Sequence, residues 1–285
     1  MIDRMPANRI APLVGREGLG GHYWLLTFRH AETAVGARAG QFVMMKAGLS
    51  AEPPLRRPFS IMDTDPGQET FTLFVKEVGP GSRALCALEP GDVAQCLGPL
   101  GRPFSTPPDG TEALLVAGGY GVAPFRLFGR EVGRSGGKAR LFYGGRTASD
   151  LPLLDRLAAT GLPVVPATED GSVGHRGRVT APLVEWLDRP PGPARLYACG
   201  PDAMLHAVAR LAGERAMEAE VSLESWMGCG LGTCLGCVVL VQGAGEARPK
   251  HRCACTEGPV FDTARILWPG EEVSRAARGA AEAVA

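Results

Sequence analysis

Five of the chain's eight cysteines lie between positions 229 and 255. The surrounding stretch reads E-S-W-M-G-C-G-L-G-T-C-L-G-C from Glu224, then a short apolar run, then R-C-A-C-T-E-G-P-V-F ending at Phe261. Cys229, Cys234 and Cys237 stand in the order C-x4-C-x2-C, and Cys253 and Cys255 follow after a loop. Thiolates at this spacing, with a fourth arriving from farther along the chain, are the plant-type arrangement for a [2Fe–2S] cluster. Gly228, Gly230, Gly232 and Gly236 fill the gaps. A loop wrapped round a cluster has to turn tightly and aim N–H groups at sulfur, and glycine allows the necessary backbone angles. Two other chemistries compete. Cys234-x2-Cys237 with Cys253-x-Cys255 approximates a zinc ribbon, although the second pair is one residue too tight and Cys229 is left without a role. Disulfides need an oxidising compartment, and the opening M-I-D-R-M-P-A-N-R-I has no apolar core of a secretory signal.

Other groups are suited to binding phosphate-bearing cofactors. Arg57-Pro58-Phe59-Ser60 opens an apolar run. A guanidinium donates bidentately to a diphosphate and keeps its charge, a serine hydroxyl can donate to a ring nitrogen or carbonyl, and a phenylalanine can pack on an isoalloxazine. The plain alternative is a solvated strand end. Gly79-Pro80-Gly81-Ser82 is a glycine turn opening a helix, which offers N–H groups to a phosphate or is simply an N-capped helix. Gly118-Gly119-Tyr120-Gly121-Val122-Ala123-Pro124 follows an apolar strand and precedes a helix, the placement a dinucleotide loop requires. It is not G-x-G-x-x-G, and no acidic residue stands at the expected ribose position. Cys199-Gly200-Pro201 ends a later strand and should face the same crevice, unless it is only a strand end followed by a helix-starting proline. Arg146 could meet a 2′-phosphate or be a solvated strand-end residue. His206 reads as a packed helix residue, and Cys86 and Cys96 as buried thiols.

The elements that must position these residues fall into two textures. Residues 22–28, 41–46, 58–62, 70–78 and 92–97 are rich in β-branched and aromatic residues and punctuated by D-P-G and E-P-G-D turns. They predict a small antiparallel barrel over 1–105, with one helix entered at Ser82. A proline-rich linker, residues 103–110, follows. Apolar strands at 113–119, 140–145, 163–168, 195–200 and 221–223 then alternate with helical stretches at 123–132, 151–159, 181–187 and 203–212. This alternation predicts an α/β domain over 111–220, a parallel sheet covered by helices. Residues 221–270 form a small cysteine module and 271–285 a frayed helix or tail.

Composition narrows the function. The chain has 285 residues, and its 30 Lys+Arg balance its 30 Asp+Glu. Zero net charge gives no electrostatic case for nucleic acid or an anionic membrane surface. No apolar run approaches the roughly 20 residues of a membrane span. Eight cysteines without an export signal predict metal or redox chemistry in a cytoplasmic protein. No paired carboxylates and no Ser/His/Asp set support hydrolysis.

The motifs R-P-F-S, G-P-G-S, G-G-Y-G-V-A-P, C-G-P, C-x4-C-x2-C and a distal cysteine before G-P-V-F occur in one order. That order resembles the ferredoxin–NADP reductase superfamily and, more closely, the iron–sulfur electron-transfer subunits of two-subunit NAD-dependent dihydroorotate dehydrogenases. The resemblance runs from about Gly15 to Pro269 and implies three parts: an FAD-binding barrel, an NAD-binding parallel-sheet domain and a C-terminal [2Fe–2S] module. It assigns the flavin to Arg57, Pro58, Phe59, Ser60, Phe74, Val75, Lys76, Gly81 and Ser82. The nicotinamide nucleotide goes to Gly118, Gly119, Gly121, Pro124, Gly200 and Pro201, with Cys199 as the catalytic residue beside the nicotinamide. It assigns the cluster to Cys229, Cys234, Cys237 and Cys255, while Cys253 is a second distal candidate. Phe59 replaces a tyrosine common in the superfamily. The implied activity takes electrons from NADH through FAD and the cluster to the FMN of a catalytic partner subunit, in a heterotetramer serving pyrimidine biosynthesis. A different acceptor, such as a hydrogenase, and a zinc-stabilised redox-sensing or scaffold protein are the alternatives.

Overall fold

The computed structural model describes residues 8–49, 54–243, 245–246 and 248–268. The expected tail from 271 lies outside the described residues.

Six strands close into an antiparallel barrel: β1 (Asn8–Gly20), β2 (Tyr23–Arg29), β3 (Phe42–Ala47), β4 (Arg57–Asp65), β5 (Thr70–Lys76) and β6 (Val93–Leu100). Their order is β1-β2-β5-β4-β3-β6, and β1 pairs with both β2 and β6. Two short helices, α1 (Ala31–Gly36) and α2 (Pro80–Cys86), interrupt the strands. Strand alternation puts Leu26, Phe28, Ile61, Phe71, Leu73 and Val75 in the core, all fully buried. Each such side chain stabilises the fold by about 1.5–3 kcal/mol. The sequence pattern missed β1, which is the strand that closes the barrel. Pro12, Gly15 and Gly18 weaken its β signature, and its inward positions include the small Ala11, so only the long-range pairing reveals it.

The second domain carries strands β7 (Glu112–Gly118), β8 (Ala139–Gly145), β9 (Val164–Thr168), β10 (His175–Arg176), β11 (Ala194–Cys199) and β12 (Ala219–Ser222). Helices α3 (Ala123–Arg134), α4 (Leu154–Ala158), α5 (Thr180–Leu187) and α6 (Asp202–Glu214) connect them. The sheet order is β10-β9-β8-β7-β11-β12, all parallel, so the winding reverses between β7 and β11. A crevice opens at the carboxyl ends of strands at such a reversal. The linker is pinned rather than loose: Phe104 is buried, with its ring 5.7 Å from Phe125 and 5.3 Å from Phe128.

The cysteine segment contains the hairpin β13 (Val238–Val241) and β14 (Lys250–Cys253), and then β15 (Val260–Asp262). β15 adds antiparallel to β12, an edge pairing that the sequence pattern did not reveal. It ties the cysteine module to the nucleotide-domain sheet. Among the described residues no helix is long and apolar enough to cross a membrane.

Candidate functional site

The cysteine loop hangs between β12 and β13. Cys229 and Cys234 lie on its open side, Cys237 and Cys255 are buried, and Cys253 is half-buried. Main-chain donors already point at sulfur: Leu231 N–H donates to Cys229 Sγ at 3.3 Å, and Gly232 N–H donates to Cys255 Sγ at 3.2 Å. Gly230 and Gly232 have φ of +75° and +77°, angles that a side chain would strain. Burial pushes the Cys229 thiol up, but the Thr233 hydroxyl and the Leu231 N–H outweigh it and bring it down to about 5. Burial and the neighbouring Cys237 push Cys255 up to about 12. Cys229 interacts with Cys234, and Cys237 with both Cys253 and Cys255. Among the described residues, no three His, Cys, Asp or Glu side chains converge on a single-ion position. Cys229 beside Cys234, and Cys237 beside the distal cysteines, would suit a two-iron cluster, in which each iron takes two protein thiolates. A zinc ribbon needs four donors about one point.

Gly230 also fixes where this loop sits. A Cβ there would stand 2.7 Å from Met44 Cγ and 3.1 Å from Leu100 Cδ1, so the loop backbone lies directly on β3 and β6. Met44 pairs in register with Pro58 on β4. The cysteine loop therefore rests one strand away from R-P-F-S.

Arg57 and Pro58 begin β4, and Phe59 and Ser60 continue it. Arg57 lies against the first turn of α2: a Cβ on Gly81 would come within 2.9 Å of Arg57 Cγ. Its Nη1 donates to the carbonyls of Leu55 and Arg56. Ser82 Oγ accepts from the N–H groups of Val78 and Gly79 and donates to the Gly79 carbonyl. That is a closed helix start, so a phosphate contact at this turn falls to the main chain and Arg57. Val75 has its side chain in the barrel, and Phe74, on the opposite face of β5, is buried with its ring stacked 5.4 Å from that of Tyr23, so what both leave open to a ligand is backbone. Lys76 reaches outward: its Nζ donates to the Tyr23 hydroxyl at 2.8 Å, and the hydroxyl donates to Asp150 Oδ1 at 3.1 Å. Burial works against ionisation of Asp150, but Tyr23, Lys76 and Arg146 hold its carboxyl below the usual range. Arg146 faces Asp150, 3.4 Å away, while its side chain stays 76% exposed at the strand end.

At the sheet's carboxyl edge, Cys199 ends β11 beside Ala117 of β7 and Ser222 of β12. It is buried, which raises its thiol well above the usual range. Two of the glycines of 118–121 are also required by packing. A Cβ on Gly121 would strike the Cys199 carbonyl oxygen and lie 2.7 Å from Gly200 Cα. One on Gly118 would lie 2.7 Å from Pro201 Cδ. These two glycines let the β7 and β11 loops pack on one another. Gly119, with φ +53° and open space round its missing side chain, is the glycine that faces outward. Pro124 is buried in the first turn of α3.

Two groups that the motifs did not single out join this crevice. Tyr120 OH donates to Glu224 Oε2 at 2.7 Å, bridging the glycine loop to the residue that opens the cysteine segment. Glu224 is exposed to solvent, yet the protein packed around it raises its carboxyl by desolvation, with Tyr120 partly offsetting this, and Cys199 feels its charge. Glu224 is five positions from Cys229 and carried no motif of its own, so only the fold reveals it. A separate cleft of ≈ 600 Å³ lies between the barrel and α3, lined by Arg16, Asp63, Thr72, Arg126 and Arg156, away from all these groups.

Family comparisons agree with this division. Residues 16–104 match the oxidoreductase FAD-binding domain and 115–210 the oxidoreductase NAD-binding domain. Residues 224–267 match the iron–sulfur cluster binding domain of dihydroorotate dehydrogenase B. The electron transfer subunit of dihydroorotate dehydrogenase B from Desulforamulus reducens is 34% identical over 245 residues, 86% of this chain and 92% of that one. The subunit from Bacillus caldolyticus is 39% identical over 236 residues, 80% of this chain and 86% of its own. The chain belongs to the dihydroorotate dehydrogenase B electron transfer subunit family. Membership brings three cofactor domains, for FAD, NAD and an iron–sulfur cluster, which is the ferredoxin reductase-like architecture described above. A solved structure of an NADH-dependent reduced ferredoxin-NADP oxidoreductase superposes with TM-score 0.81 at 27% identity, covering 95% of this family member and 94% of that chain. The ferredoxin reductase of carbazole 1,9a-dioxygenase, at 22% identity and TM-score 0.65, shares the fold over 74% of this chain and 66% of its own.

Proposed function

We propose that this chain is the electron-input subunit of a cytoplasmic dihydroorotate dehydrogenase, taking electrons from NADH and delivering them to the FMN of a catalytic partner in a heterotetramer. FAD held by the barrel would supply acceptance of a hydride's electron pair, and a [2Fe–2S] cluster held by the cysteine loop would supply one-electron transfer onward. The observation that carries this reading is the seat of Gly230 on Met44 and Leu100, which sets the cysteine loop one strand from Arg57–Ser60. Arg57 and the turn at Gly81 would hold the flavin diphosphate. Gly119 and the packed loops at Gly118, Gly121, Gly200 and Pro201 would frame the nucleotide, with Cys199 beneath the nicotinamide. Cys229, Cys234, Cys237 and Cys255 would ligate the cluster. An acceptor has access at the cysteine loop, where Trp226 is 93% exposed and Leu235 63% exposed. Large apolar side chains this open suit burial against a partner.

Stopped-flow mixing of anaerobically purified protein with NADH and NADPH tests the input half. Rapid flavin bleaching by NADH is expected, and reduction by neither nucleotide in FAD-replete protein would overturn the role. Co-purification of an FMN-bearing subunit tests the output half. A second reading, a subunit serving another acceptor, draws on the near-full-length likeness to the NADH-dependent reduced ferredoxin-NADP oxidoreductase. A different co-purifying flavoprotein or a hydrogenase would select it.

A further inference from the structure

The cysteine module holds five thiols for a cluster that takes four. Cys253 and Cys255 flank Ala254, whose N–H donates to the carbonyl of Cys237 at 3.0 Å, so this bond pins both distal cysteines beside Cys237. They also share one residue across the loop, Gly232, each meeting a different one of its two flanking peptide groups. Gly232 N–H donates to Cys255 Sγ at 3.2 Å, while Cys253 Sγ lies 3.8 Å from the Gly232 carbonyl. Each distal thiol is within hydrogen-bonding reach of Cys237 Sγ. They differ in exposure: Cys255 is 1% exposed and Cys253 half-buried at the end of β14, opposite Val238.

We propose that Cys253 is a reserve cluster ligand, which takes the iron position of Cys255 when that thiolate is lost. The exchange is a ligand substitution without a redox change. The iron–Sγ bond to Cys255 breaks, the bond to Cys253 forms, and the proton leaving the Cys253 thiol is taken up by the released Cys255 thiolate. Nothing on the hairpin has to unfold, because Ala254 keeps its bond to Cys237 and only the two flanking side chains trade places. Burial selects Cys255 as the resident ligand, since an enclosed thiolate bonded to iron is shielded from water and oxidants, while the half-exposed Cys253 remains available.

This inference rests on the cluster reading above, and the experiment separates the two. Iron and sulfide content, visible spectra and electron paramagnetic resonance of the dithionite-reduced protein are measured for wild type, C253S, C255S and C253S/C255S, with bound FAD as the control for folding. Expected are a wild-type spectrum for C253S, retention of most of the iron with an all-thiolate spectrum for C255S, and loss of the cluster in the double variant. C237S, which removes the thiol that both distal cysteines face, should lose its cluster while keeping FAD. Loss of iron from C255S with FAD retained overturns the proposal. So does an identical serine-ligated spectrum in C255S and the double variant, and so does loss in C253S alone, which makes Cys253 the resident ligand. Absence of a cluster from the wild type would instead overturn the cluster reading itself. A second measurement needs no variant: alkylation of native holoprotein with iodoacetamide should mark Cys253 and spare the other four, and modification of Cys255 in its place overturns the assignment.

Discussion

At the scale of single residues, the arrangement depends on charges and thiols whose neighbours are already set. Arg57 is held by its own backbone carbonyl contacts and by the wall at Gly81, so its guanidinium is positioned before any ligand arrives. Preorganisation of that kind lowers the ordering cost of binding. Arg57→Ala should weaken FAD binding by about 1.5–3 kcal/mol, the usual worth of hydrogen bonds to a charged group. Lysine should restore only part, because it offers a point charge without the planar fork. Flavin content after gel filtration checks this, and undiminished FAD in the alanine variant would remove Arg57 from the site. Lys76 and Asp150 are of a second kind: with Tyr23 they bridge the barrel to the nucleotide domain, and no motif in the sequence joined them.

At the scale of elements, glycine shows how one motif can answer to packing as well as to a ligand. Gly121 lies where a dinucleotide loop should place a glycine, and its missing side chain also accommodates the Cys199 carbonyl. Gly121→Ala should therefore destabilise the whole domain, by about 1–3 kcal/mol as overpacking does, with a lowered melting temperature as the sign. Gly119→Ala has open space and only the left-handed φ to oppose it, so it should cost about 1 kcal/mol. Equal melting temperatures for the two variants would contradict the packing account. The same contrast explains what the sequence carried. Cysteine spacing, R-P-F-S and the strand–helix alternation are local signals, and each led to the element observed. β1, β15, Glu224 and Tyr120 depend on partners far along the chain: β1 on β6, β15 on β12, Glu224 on a tyrosine that precedes it by more than a hundred positions. No local pattern of apolar residues encodes such pairings, so they became visible only when the chain was folded.

Tyr120 and Glu224 also give the crevice a pH dependence whose sign follows from desolvation and whose size is limited by solvent, since both residues are exposed. The Glu224 carboxyl is raised above its ordinary 4.5 by desolvation, and the Tyr120 hydroxyl opposes this by donating to the charged form. The folded protein thus binds this proton more tightly than the unfolded chain does. Its contribution to stability is present below the unfolded pKa and is lost as pH rises through the folded one. Tyr120→Phe should raise the carboxyl further and extend that loss toward neutral pH, while Glu224→Gln should abolish it. Melting temperatures followed from mildly acid to neutral pH check this, and unchanged slopes in Glu224→Gln would exclude Glu224 as the group responsible.

At the scale of the whole molecule, three parts meet around one route. The barrel supplies the wall bearing Arg57, and the parallel sheet supplies the crevice between β7 and β11. The cysteine module is fastened to both, through β15 on β12 and through Gly230 on the barrel. The second fastening fixes the separation between the flavin strand and the cluster loop, and electron tunnelling weakens steeply with separation. Gly230 has φ +75° and lies within contact of Met44 and Leu100, so Gly230→Val brings strain and volume at one point. The barrel strands are paired on both sides and cannot yield, whereas the loop can lift. The expected result is therefore selective. NADH should bleach the flavin at the wild-type rate, since β7, β11 and Arg57 are untouched, while reduction of the cluster that follows should slow. Stopped-flow traces at flavin and cluster wavelengths separate the two phases. If both phases slow together, Gly230 acts through general destabilisation; if neither changes in a variant that retains its iron, the seat on Met44 does not set the electron path.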